Sequence, residues 1–339
     1  MKTYQITIEP LSSFGTPLKG DTLFGHFCWQ AAYDSTLLVR PLEELSACYA
    51  DRPFAVFSSA FPALTGGGVA LKRPDLPLDR LFDFRGMMRE EIIGRRKELK
   101  RRRWLVCRGT GALADLGNCE YADDAALVEL AAPKDAISAR QGRIAGIAKD
   151  TLASHNSINR CTGTTGEGFA PFSQKVFSFL PGIRLILFAG IEEEFLSRDG
   201  LRKGLERIGA FGYGRDASTG MGKFRVVGCE TVNISEYGGD SPTALYTLAP
   251  SVPEKGTYEA AYFSPFTRFG RHGDRMVKTG KPFKNPVIMA DEGAVLVPKE
   301  MASALARPYL GTGLTGLSKA LEGTVGQGYT LYIPVGLEG

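Results

Sequence analysis

Tyr4, Ile6 and Ile8 alternate with Thr3, Gln5, Thr7 and Glu9, the period-two pattern of a strand with one buried face. The period then changes. Asp21 stands where an N-cap belongs, and over residues 22–33 Leu23, Phe24, Phe27, Cys28 and Ala31 form one apolar helical face. His26, Trp29 and Tyr33 lie on the other side of that helix. Residues 54–58 and 183–190 are again strand-like. A second helix follows, in which Leu201, Leu205 and Ile208 recur at helical spacing while Arg202, Lys203, Glu206 and Arg207 turn outward. After a glycine-rich run, residues 223–230 read as a strand. Strand, helix, strand, then strand, helix, strand is the ferredoxin-like (RRM-type) order of an α+β domain, here with a long insertion at about 85–180.

Beyond residue 240, Ser241-Pro242 opens a second region with strand-like stretches at 244–248, 259–263 and 287–289. Gly311, Gly313, Gly316, Gly323, Gly326 and Gly328 then precede a strand at 330–334, which repeats the glycine loop and strand of the first half. The pattern predicts two ferredoxin-like domains in tandem, 1–240 and 241–339, the second a divergent copy of the first.

The run at 211–224, Phe-Gly-Tyr-Gly-Arg-Asp-Ala-Ser-Thr-Gly-Met-Gly-Lys-Phe, carries the most chemistry. Gly212, Gly214, Gly220 and Gly222 allow positive φ and close approach, while Arg215, Ser218, Thr219 and Lys223 supply donors. Phosphate would suit such a loop, and so would a purely structural turn. Two nucleotide motifs nearly match and both fail. The string 212–217 fits the dinucleotide fingerprint, but that fingerprint follows a strand and opens a helix, the reverse of the order here. Gly222-Lys223 resembles the end of a Walker A loop, yet Phe224 replaces Ser or Thr and Ala217 stands in place of the first glycine.

Composition narrows the classes. The net charge of +4 is too small to imply nucleic acid by itself. Its distribution is uneven, because Arg95, Arg96, Lys97, Lys100, Arg101, Arg102 and Arg103 crowd one stretch after a run of helix formers at 87–93. Such a run is more often a solvated helix or loop than a site. The six cysteines never take the C-x-x-C spacing of zinc sites, so no metal or other cofactor is expected. They and the strand-like start suggest a reduced, cytoplasmic protein. The longest apolar run, 185–191, is far short of the ~20 residues that span a bilayer.

Only His26, His155 and His272 could serve acid–base chemistry near neutral pH. His26 shares its helical face with Trp29 and Tyr33, which predicts a domain or subunit boundary there. His155 lies in Ser154-His155-Asn156-Ser157-Ile158-Asn159-Arg160, equally suited to RNA contact or to a polar hairpin in water. His272 follows Arg268-Phe269-Gly270-Arg271, a mixture of cation and aromatic that fits phosphate and base contact but also occurs on ordinary loops. Asp291 and Glu292 are adjacent and, on a strand, would point to opposite faces. No G-x-S-x-G elbow or metal-spaced acidic pair appears.

Gly15-Thr16-Pro17-Leu18-Lys19-Gly20-Asp21-Thr22-Leu23-Phe24-Gly25-His26, the segment His155-Asn156-Ser157-Ile158 and the loop at 212–224 together resemble the RAMP superfamily of CRISPR proteins. The N-terminal segment is similar to the Csm-type subunit of type III-A effector complexes that holds the 5′ tag of the guide RNA. The likeness extends to Lys281-Pro282-Phe283 and Gly326-Gln327-Gly328-Tyr329, and so spans most of the chain. It implies a non-catalytic subunit that cradles the crRNA tag and contacts the large polymerase-palm subunit and the first backbone RAMP subunit, in antiviral defence. Tag contacts carried over by position would come from Lys19, His155, Asn156, Ser157, Asn159, Arg160, Gly212, Gly214, Arg215, Ser218, Thr219, Gly220, Gly222 and Lys223. The alternative is a metal-independent RAMP endoribonuclease that processes precursor crRNA with His26 as general base.

Overall fold

The computed structural model describes residues 1–138, 145–166, 170–273, 276 and 280–337. Parts of the expected insertion, at 139–144 and 167–169, lie outside the described residues. The alternating start forms the strand Lys2–Pro10, paired antiparallel on one side with Phe224–Thr231 and on the other with Leu185–Ile191. Leu185–Ile191 in turn pairs with Ala55–Phe57. The sheet order is last strand, first, third, second.

Leu185–Ile191 is buried at every position, which explains why its sequence is continuously apolar instead of alternating. Both faces of its sheet are covered. The helices Gly20–Tyr33 and Arg198–Phe211 pack on one side, where Gly204 lets the Phe27 ring approach. Leu331, from the second half, reaches the strand at Gly190. Asp21 does not cap the first helix. It lies in the first turn, and Arg268 donates to it from Nε at 2.6 Å and from a terminal nitrogen at 2.8 Å.

The second half repeats the strand order with Ala244–Thr247, Tyr258–Tyr262, Val295–Pro298 and Tyr332–Val335. Its connections are reduced. No helix joins the first two of these strands, and the one after Val295–Pro298 is only Met301–Leu305. The late glycines do not form a loop like that of the first half. Leu310–Leu314 and Gly326–Thr330 pair as a hairpin, and Gly311 sits so close to the Gly328 carbonyl that a Cβ would stand 2.3 Å from its oxygen.

Inserted material begins earlier than the composition suggests, after Phe61–Pro62. It contains the sheet Val69–Lys72, Trp104–Cys107 and Tyr121–Ala122, the helix Arg89–Leu99 and the hairpin Ala148–His155/Phe172–Phe179. In the second half a hairpin, Pro265–Arg268/Val287–Ala290, interrupts the same step between second and third strands. One hydrophobic core runs through both halves, joining Ile6, Phe57 and Leu187 to Tyr246, Leu331 and Ile333. Among the described residues, no helix is long and apolar enough to cross a membrane.

Candidate nucleic-acid interface

The helix Arg198–Phe211 starts at Ser197, whose hydroxyl accepts from the Gly200 N–H, and ends at Gly212 with φ 110°. The chain then folds back so that the Tyr213 N–H donates to the Gly222 carbonyl at 3.0 Å. Between them lies Asp216 with φ 61°, the single non-glycine in the left-handed region among the described residues. Beneath the loop stands Tyr213, fully buried, whose hydroxyl donates to the Pro17 carbonyl at 2.8 Å and accepts from the Lys19 N–H at 3.1 Å. The loop is thereby tied to the segment that precedes the first helix.

That segment supplies three of the loop's acceptors. Thr16 Oγ1 accepts from the Arg215 N–H at 3.0 Å, the Ser13 carbonyl from Gly222 at 2.8 Å, and Ser12 Oγ from Lys223 at 2.8 Å. The Gly212 N–H is taken by Ile208 and that of Gly220 by Ala217. Backbone N–H groups at the four glycines are therefore consumed inside the protein, and the loop presents side chains instead. Arg215, Ser218, Thr219 and Lys223 are all exposed.

His26 belongs to this site, while on the same helix the Trp29 indole lies against Gly273 of the second half. Its Nε2 accepts from the Gly214 N–H at 2.9 Å, and its ring lies on that of Tyr213 with centroids 4.9 Å apart. Burial pushes its pKa down to about 4. The ring is thus neutral near pH 7, with the Nε2 lone pair engaged. Trp29 stacks on Tyr33 one turn further along the helix.

A proton on His26 Nε2 would break its bond to Gly214, and the pH dependence follows. Unfolded histidine titrates near 6.5 and the folded ring near 4, so the unfolded state binds more protons between those values. Stability is expected to fall as pH drops through that window. His26→Gln should flatten the profile there, as measured by urea unfolding at a series of pH values. Parallel profiles for the two proteins would contradict the assignment.

The insert hairpin reaches the loop from the other side. The Phe14 N–H donates to the Phe177 carbonyl at 2.8 Å, the Phe177 N–H returns to Phe14 at 3.0 Å, and Arg215 donates to the Lys175 carbonyl at 2.5 Å. His155 stacks on Phe172 at 5.1 Å, with its Nε2 3.9 Å from Asp216 Oδ2. Both atoms are buried and lack a hydrogen-bond partner. Asn156, Ser157 and Arg160 are exposed at the hairpin's end, whereas the Asn159 carboxamide accepts from the Cys161 N–H and holds a turn.

Lys19 is spent differently. Its ammonium pairs with Asp291 and, at 2.9 Å, with Glu292, and Lys72 reaches the same Asp291 at 3.3 Å. Burial alone would lower the Lys19 pKa, but the Glu292 and Asp291 carboxylates outweigh it and hold the ammonium above the usual lysine value. Asp291 and Glu292 therefore face one partner and not opposite sides, because they lie in the turn after Val287–Ala290 and not in the strand. His272, the third histidine, is buried with Nε2 2.7 Å from Ser318 Oγ, which also accepts two backbone N–H groups. That serine is held as a turn cap.

Of the expected RNA contacts, the structure brings the glycine loop and the hairpin residues around His155 together, and it commits Lys19 to carboxylates. Sequence reasoning missed Thr16, Tyr213, Asp216 and Phe172. Asp216 left a signal, an aspartate among glycines where left-handed backbone is common.

Comparison with known proteins returns the same architecture. No family model matches the sequence, and no curated protein matches it. Solved structures do. The Csm3-Csm4 subcomplex of the type III-A CRISPR-Cas interference complex contains a chain 11% identical, with TM-score 0.56 over 98% of this chain and 99% of that one. The Csm1-Csm4 cassette in complex with pppApA contains one 16% identical, with TM-score 0.52 over 100% and 98%. The fold is shared with a chain in each of these Csm assemblies. Csm4, the component common to both assemblies, is what this chain is similar to along its full length.

Proposed function

We propose that the chain is a non-catalytic, RNA-binding subunit of a type III-A CRISPR effector complex. In this reading it caps the 5′ tag of the crRNA and links the large polymerase-palm subunit to the backbone RAMP subunits, in cytoplasmic antiviral defence. Two tandem ferredoxin-like domains, 1–240 and 241–339, carry the two ends of that link. The single observation that supports this best is the convergence of three distant segments on one loop. The stretch before the first helix, the insert hairpin and the run at 212–223 frame a surface bearing Arg215, Lys223, Ser218 and Thr219. Guanidinium and ammonium groups suit phosphates there, while hydroxyls and carboxamides suit splayed bases.

The engagement of His26 argues against the processing nuclease, because a general base needs a free lone pair within reach of the ribose hydroxyl. Among the described residues, no group of three or more His, Cys, Asp or Glu side chains is placed to hold a metal ion.

The loop's role is tested by Arg215→Ala combined with Lys223→Ala. Each lost phosphate contact on a single strand should reduce the slope of log K against log salt by about 0.7, so the double variant should bind tag RNA more weakly and with a slope lower by about 1.4. Affinity and slope equal to the parent protein's would refute the assignment.

A further inference from the structure

The basic run forms the helix Arg89–Leu99 and the turn behind it. Residues 89–103 hold eight Lys or Arg against three Glu, a net +5, while the whole chain carries +4. The rest of the molecule is thus close to neutral, and its positive field originates largely here. Within the helix every residue except Ile92 and Leu99 is exposed. Leu99 anchors its end, where Arg73 donates to the Leu99 and Arg102 carbonyls at 3.0 and 3.2 Å.

Two of the cations are neutralised internally, Arg102 by Glu98 at 2.9 Å and Arg103 by Asp124. Others are not. Among the described residues Arg89, Lys97, Lys100 and Arg101 pair with no carboxylate, and Arg96 lies over the Phe84 ring at 5.3 Å. Arg89, Ile93, Arg96 and Lys100 follow one another at steps of four, three and four residues, which places them on one helical face. At 1.5 Å per residue that stripe is about 16 Å long. A solvated helix would be expected to balance its outer face with acidic residues at i+4, and this face does not.

We propose that this face is a second nucleic-acid contact, separate from the glycine loop, which grips the phosphodiester backbone of single-stranded RNA without reading its sequence. A stripe of unpaired cations matches a flexible polyanion, which neutralises them while they stay in water. An acidic protein surface fits less well. Protein interfaces are depleted of charge and rich in aromatic groups at their centre, whereas the centre of this face is Ile93 among cations. The site goes beyond the tag-binding role and does not depend on it.

The test uses the full chain with Arg89→Gln, Arg96→Gln and Lys100→Gln together, all exposed positions on that face, with circular dichroism confirming the parent fold. Binding of an oligouridylate is titrated across salt by fluorescence anisotropy. Three lost contacts should lower the salt slope by about two and weaken binding more than tenfold at low salt. The pair Arg215→Ala and Lys223→Ala, measured on the same RNA and on tag RNA, separates the two sites. If the helix variant keeps the parent slope on oligouridylate, the second contact is refuted whatever the loop variant does. If only the helix variant loses oligouridylate binding and the loop variant keeps tag binding, the loop reading fails and this one stands. A loss of poly-glutamate binding with oligouridylate binding intact would overturn the proposal in favour of an acidic protein partner.

Discussion

Gly222→Ala is expected to lower affinity for a tag-bearing RNA about a hundredfold, a cost near 3 kcal/mol. Two effects add at this position. The backbone has φ 70°, where an L residue costs about 1–2 kcal/mol. A Cβ would also stand 2.1 Å from the Tyr213 carbonyl oxygen and 2.5 Å from its nitrogen, so the two ends of the loop could not close on each other. Arg215 and Lys223 would lose their common frame. Gly220→Ala separates the effects, because φ there is 95° but the space around the Cβ position is open. That variant should carry only the conformational cost and lose about tenfold. Anisotropy titrations of both variants check the order, and a Gly222→Ala protein within about threefold of its parent would contradict the loop geometry.

Gln327→Leu is expected to destabilise the chain by about 2–6 kcal/mol. The Gln327 carboxamide is 1% exposed and acts as a strand partner in miniature. Its Oε1 accepts from the Phe57 N–H at 2.8 Å and its Nε2 donates to the Phe57 carbonyl at 2.7 Å. Leucine fills similar volume but leaves both backbone groups buried without partners, at about 1–3 kcal/mol each. Phe57 belongs to the first sheet and Gln327 to the second half, so this pair stitches the halves together. Gln327→Glu tests the donor alone, since it keeps an acceptor but sets an ionised oxygen against the Phe57 carbonyl. Urea unfolding measures both variants, and a change under about 1 kcal/mol for Gln327→Leu would show that the halves do not depend on this contact.

The sequence made some of this architecture readable and hid the rest, for physical reasons. Lys2–Pro10 has one face buried and one half-exposed, so its period-two pattern survives in the residues. Leu185–Ile191 is buried throughout and shows up as a plain apolar run. By contrast, Ala148–His155 is exposed or half-exposed at every position, and no periodicity marks it as the strand that carries His155 to Asp216. Asp291 and Glu292 were legible as residues but not as a pair, because their directions depend on the turn that follows a short strand. Gly311 and Gly328 matched the signature of a loop and lie in paired strands instead, where their lack of a side chain permits close backbone contact. His26 showed its helical face correctly. Its partner, the Gly214 N–H, is 188 residues away and could be found only in three dimensions.

The central claim is most directly tested by incubating the purified full chain, in EDTA and across salt, with a labelled RNA carrying the repeat-derived 5′ tag and with a scrambled RNA of equal length. The account predicts preferential binding of the tag with both RNAs left intact. Equal affinity for the two, or a single cut within the repeat that disappears in His26→Ala, would contradict it.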